Sequence, residues 1–200
     1  MPNIVAQPGD ATSSLPAKHG VIIAHLVNIS GRWGGKGFAA ALDQMSGIPK
    51  AACQAWAKQF SNSIPLGDVQ FVETCPGKFV ANMCAQKDKT NGVALDYGAL
   101  ERCLKVTFLR ALRWGYDVHI AAGLGSGQAG GDRQKIHDLI KSVAEQAEKG
   151  KFATRWLQLS NEPLVLNITL WDLPVAGTPT ILGKTPTVVV SAGSDLDDQC

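Results

Sequence analysis

Val21-Ile22-Ile23-Ala24-His25-Leu26-Val27 runs directly into Asn28-Ile-Ser-Gly-Arg-Trp-Gly-Gly-Lys-Gly-Phe38. The first part is a nearly unbroken apolar run of strand length, the pattern of a strand covered on both faces. The second part is a glycine-rich loop at the carboxyl end of that strand, where open α/β sheets bind their ligands. Further β-rich runs lie at Val69 to Val72, Lys78 to Cys84, Asp117 to Ala122 and Leu164 to Leu170, with Cys75-Pro76-Gly77 forming a turn between the first two. A stretch from Trp156 to Leu159 reads as a further strand or as loop.

Helical periodicity fills the intervals. Leu100, Cys103, Leu104, Phe108, Ala111 and Leu112 recur at three- and four-residue spacing, so a helix is predicted from about Asp96 to Trp114, ended by Gly115. Ile136, Leu139, Ile140 and Val143 mark another from Asp132 to Lys149, with Gly150 as its stop. Shorter helices are predicted near Phe38 to Gln44 and from Pro49 to Phe60, the second opening on proline in its first turn. The order β…βααββαβαβ argues a three-layer α/β/α domain with a mixed central sheet. That domain occupies 1–174, and the Pro/Thr/Gly/Ser-rich remainder, 175–200, is expected to be a flexible tail.

Composition narrows the function. Of 200 residues, 45% are hydrophobic and 18% charged, with a formal charge of +2, so the chain can bury a core and is no polyanion-driven binder. No basic run suits nucleic acid, and no stretch approaches the roughly eighteen apolar residues of a membrane span. The opening residues lack the basic and apolar regions of a secretory signal. A soluble, cytoplasmic monomer without membrane or nucleic-acid partners is therefore expected. Five cysteines (Cys53, Cys75, Cys84, Cys103 and Cys200) form no CxxC pair. Neither a zinc site nor a disulfide framework is expected, and the same holds for any other metal or bound cofactor.

A second glycine-rich segment, Gly123-Leu-Gly-Ser-Gly-Gln-Ala-Gly-Gly-Asp132, follows the strand ending at Ala122 and precedes a helix. Glycines let successive N–H groups converge on an anion, and the following helix N-terminus adds partial positive charge. Together the two loops point to a ligand with phosphates and a ribose; each loop alone would serve equally as a turn. Gly125-Ser-Gly-Gln-Ala-Gly130 fits G-x-G-x-x-G letter for letter. A dinucleotide fold, however, wants that turn after its first strand and an acidic residue at the next strand's end, where this chain has Glu145 and Glu148 in a helix. The P-loop pattern fails at Ser30 and Gly37, HExxH is absent, and Leu124 breaks G-x-S-x-G.

The arrangement resembles the macro domain, an ADP-ribose-binding module. The segments that carry the likeness are Gly9-Asp10-Ala11-Thr12, His25-Leu-Val-Asn28 with Trp33 to Phe38, Val80 to Gln86, Gly123 to Asp132 and Trp171-Asp172-Leu173. They span about Asn3 to Pro174. The nearest branch includes ADP-ribose-1″-phosphate phosphatases and hydrolases that remove ADP-ribose from glutamate.

The resemblance implies a set of roles. Asp10 would accept from the adenine amine, and Leu173, or else Trp171, would line the adenine pocket. Backbone amides of Ser126, Gly127, Gln128, Ala129 and Gly130 would cradle the diphosphate. Gly34, Gly35, Gly37 and Phe38 would pass the distal ribose and second phosphate, with Asn28 on ribose hydroxyls. His25 would act in proton transfer, and Asp132 would orient a water or cap the next helix. His19, His119 and His137 have no partner pattern. Gln86 and Ala129 stand where the glutamate-directed hydrolases carry a lysine and an aspartate, although Lys87 is adjacent. The expected activity is hydrolysis at the distal ribose C1″, releasing a 1″-phosphate or cleaving an ADP-ribosyl or acetyl ester. The alternatives are a non-catalytic ADP-ribose reader and a nicotinamide-dinucleotide oxidoreductase.

Overall fold

The computed structural model describes residues 1–13, 20–88, 93–150 and 165–172. Along the chain run β1 (Asn3–Pro8), β2 (Val21–Asn28), α1 (Phe38–Met45), α2 (Ile48–Gln59), β3 (Val69–Cys75), β4 (Lys78–Gln86), α3 (Tyr97–Trp114), β5 (Asp117–Ala121), α4 (Arg133–Glu148) and β6 (Asn167–Asp172). Six strands form one sheet in the order β1-β6-β5-β2-β4-β3. All neighbours are parallel except β3, which returns antiparallel on β4 through the Pro76-Gly77 turn. The mixed sheet and its helices match the sequence-based expectation.

Side-chain alternation on β2 separates the layers. Ile22, Ala24 and Leu26 pack into the large core with Leu100, Leu104 and Phe108 of α3 and Ile136 and Ile140 of α4. Ile23 and Val27 face the other way, Ile23 onto Leu42 of α1 and Val27 onto Cys53, Trp56 and Ala57 of α2. Fully burying side chains such as Phe108 or Leu104 stabilises the fold by roughly 1.5–3 kcal/mol each. Because β2 is covered on both faces, its carboxyl end is the natural floor of a cleft.

The helix signals read correctly at their ends. The Asp96 carboxylate accepts from the Ala99 N–H to cap α3, and Gly115 closes that helix at φ 69°. Boundaries differ more at the last strand. It runs from Asn167 to Asp172, so Val165 and Leu166 precede it and Trp171-Asp172 belong to it. The apolar run begins before the strand does, because the ladder is set by pairing with β1 and β5. Leu164, the Trp156–Leu159 stretch, His19, Leu173 and the 175–200 segment lie outside the described residues.

Candidate functional site

A cleft of about 550 Å³ opens at the carboxyl ends of β2, β5 and β6. Both glycine-rich loops line it: Asn28, Arg32, Trp33, Gly34, Lys36, Gly37 and Phe38 from one side, and Gly123, Leu124, Gly125, Gly127, Gln128 and Ala129 from the other. The loops are brought together because β2 and β5 are adjacent parallel strands. Gln86, Trp171 and Asp172 complete the wall.

Backbone hydrogen bonding decides what each loop can offer. In the second loop the Ser126 N–H donates to the Gly123 carbonyl (3.1 Å) and the Gly130 N–H to that of Gly127 (3.0 Å). These two amides, expected to hold phosphate, are spent on the loop's own turns. Among the described residues, no hydrogen bond engages the N–H groups of Gly127, Gln128 and Ala129. Successive unengaged backbone donors on a cleft wall are the raw material of an anion-binding concavity. On the first loop's side of the cleft, Gly37, at φ 62°, precedes α1, which has no side-chain cap and no acidic residue in its first turn. An uncapped helix N-terminus adds partial positive charge to the same space.

The remaining expected residues divide. Gly34, Gly37 and Phe38 line the cleft, while Gly35, Asp10 and Asp132 stand outside its lining. Asp10 Oδ1 accepts from the Thr12 N–H at 2.8 Å, turning the chain after β1. Asp132 Oδ1 accepts from the Lys135 N–H at 2.7 Å and caps α4. Asn28 reaches the cleft with its amide engaged. Its Nδ2 donates to the Arg32 carbonyl, and its Oδ1 accepts from the Arg32 N–H and the Ser30 hydroxyl. Asn28 thus shapes the first loop, and a ribose hydroxyl would share it.

His25 lies on the α1 side of β2, 8% exposed. Its ring is held by Trp33 at 4.8 Å and Phe38 at 5.9 Å between centroids. Burial pushes its pKa down to about 4 against the opposing field of Asp43, so the imidazole is neutral. Arg32 and Lys36, which sequence reasoning did not assign, bring positive charge to the rim; Arg32 is paired with Asp88 at 3.1 Å. Lys87 pairs with Asp96 at 3.0 Å and lies outside the lining, whereas Gln86 and Ala129 are within it. Among the described residues no group of three or more His, Cys, Asp and Glu could hold a metal ion.

Solved structures share this architecture. A macrodomain protein from Streptomyces coelicolor is 29% identical, with a TM-score of 0.66, covering 85% of this chain and 99% of that one. The chain has the macro-domain fold. A Bacteroides thetaiotaomicron protein is similar to this chain at 28% identity and a TM-score of 0.69, over 86% of this chain and 100% of that one. Thermosipho africanus DarTG, solved in complex with ADP-ribose, shares the fold at 15% identity and a TM-score of 0.57, over 92% of this chain and 43% of that one. Scans against protein-family models and curated proteins gave no match.

Proposed function

We propose that this macro domain binds ADP-ribose or a close derivative in the cleft and hydrolyses a group at the distal ribose C1″. The group is a 1″-phosphate, or an ADP-ribosyl or acetyl ester. The observation that carries this reading is that Gly127 to Ala129, whose N–H groups no hydrogen bond engages among the described residues, line the same cleft as the uncapped start of α1. A diphosphate suits that arrangement because main-chain donors match its oxygens without a bound cation. With the nucleotide held there, the distal sugar would lie towards the first loop, near the neutral His25. A neutral imidazole accepts a proton from an attacking water. Holding that water in place lowers the barrier further.

Calorimetric titration with ADP-ribose tests binding, with intact NAD as the weaker competitor. Phosphate release from ADP-ribose-1″-phosphate and ADP-ribose release from modified protein test turnover. His25→Ala abolishes turnover and spares binding on this reading.

A specific observation favours a second reading, a binding module without turnover. No lysine lines the cleft at the end of β4, since Lys87 is tied to Asp96 and Gln86 takes the wall position. Tight ADP-ribose binding with no product from either substrate would decide for it.

A further inference from the structure

Among the described residues, three charged side chains line the cleft: Arg32 and Lys36 on the first loop and Asp172 at the end of β6. Two of them are matched already. Arg32 lies 3.1 Å from the Asp88 carboxylate, and Asp172 lies 3.1 Å from the Arg133 guanidinium. Within the described residues no hydrogen bond or ion pair engages the Lys36 ammonium. Nor is there a carboxylate on the cleft wall beside it, since Asp172 stands two strands away, with β5 between β6 and β2.

A lysine in open solvent needs no partner, but this one shares a cleft wall with a buried polar group that also lacks one. His25 is 8% exposed, and no hydrogen bond engages its ring within the described residues. The space around Lys36 is open as well. A Cβ on Gly35 or on Gly37, either side of it, would meet no atom within 4 Å.

We propose that Lys36 is the specificity-determining residue of this cleft, its ammonium holding a phosphomonoester carried on the distal sugar. This rests on the reading above, in which the diphosphate meets Gly127 to Ala129 and the start of α1, and the distal sugar lies towards the first loop. ADP-ribose itself would bring only neutral hydroxyls to that end, and an acyl ester would bring no charge either. A phosphomonoester brings nearly two negative charges at neutral pH and three strong acceptor oxygens. Lysine suits such a group because its point charge sits on a flexible stem and needs no fixed fork of acceptors. With the phosphate held by Lys36, the His25 ring stays available to the attacking water. Of the groups that could leave C1″, the cleft therefore selects phosphate over a neutral ester.

Calorimetric titration of the full-length chain tests this with two ligands, ADP-ribose and its C1″-phosphonate analogue, which cannot be hydrolysed. Wild type is expected to bind the phosphonate at least about tenfold more tightly than ADP-ribose, as a hydrogen bond to a charged group gives. Lys36→Met, which keeps the stem and removes the charge, should erase that preference and leave ADP-ribose affinity within about twofold. Lys36→Arg should keep most of it, and the wild-type preference should shrink as salt is raised. If ADP-ribose binds and the phosphonate binds no more tightly, the ADP-ribose reading stands and the role of Lys36 falls. Equal weakening of both ligands in Lys36→Met also overturns it, because Lys36 would then meet the diphosphate they share. If neither ligand binds wild type, the ADP-ribose reading itself fails and this proposal with it.

Discussion

Across the cleft, the Gln128 side-chain oxygen lies 3.8 Å from the point where a Cβ on Gly34 would stand. The two glycine-rich loops, remote in sequence, thus approach to van der Waals distance of one added atom. The Gly34 φ lies outside the left-handed region, and the atoms nearest its would-be Cβ are the Ala39 Cβ at 3.4 Å, Gln128 Oε1 and the Lys36 carbonyl. A larger side chain there fills the space between the loops and touches the core only at Ala39, the first turn of α1. Gly34→Val is expected to keep the melting temperature within a few degrees and weaken ADP-ribose binding at least about tenfold, roughly 1.4 kcal/mol. Calorimetry on both proteins checks it. Unchanged affinity would place the ligand elsewhere.

Gly131 makes the opposite prediction. A Cβ there would stand 2.4 Å from Leu95 Cδ2 and 2.9 Å from the Gly125 carbonyl oxygen. The second of these is backbone and cannot swing aside, so the loop must shift. Gly131→Ala is expected to cost about 1–3 kcal/mol of stability, as overpacking does. Urea unfolding measures it, and a variant as stable as wild type would contradict this close packing.

Asp132 separates a helix cap from a catalytic group. Its carboxylate bonds the Lys135 N–H, and its own N–H donates to the Tyr97 hydroxyl at 2.7 Å, outside the cleft lining. Asparagine can cap a helix as well as aspartate, whereas alanine loses the bond and about 1 kcal/mol. Asp132→Asn should retain both stability and turnover, and Asp132→Ala should melt a few degrees lower. Loss of turnover in a fully stable Asp132→Asn would return the residue to the chemistry.

The fold was legible because its signals are local. The apolar run Val21–Val27, the caps Asp96 and Asp132, and the stops Gly115 and Gly150 each act within a few residues, and each stands where its residue type requires. The loops were legible as glycine-rich segments at strand ends. Which amides within them are free was not, because Ser126 and Gly130 differ from Gly127 only in how the loop turns on itself. The roles of Arg32 and Lys36 on the cleft wall had a signal, since both fall inside the quoted first loop.

Acid should expose the neutral burial of His25. Its folded-state pKa, about 4, lies below the ordinary 6.5, with burial the cause. The unfolded chain therefore binds the proton more readily than the folded one, and stability rises with pH across that interval. The contribution is complete above pH 6.5 and is lost as pH falls through the window down to about 4. A shift of this size corresponds to at most about 3 kcal/mol. His119, also pushed down by burial, acts in the same direction, so the comparison must isolate one ring. His25→Gln does so. Urea unfolding of both proteins at several pH values between neutral and 4 is expected to show wild type losing stability more steeply, with the difference growing towards the acid end. Parallel curves would mean that the His25 pKa is the same in the folded and unfolded protein, so that burial does not hold the ring neutral.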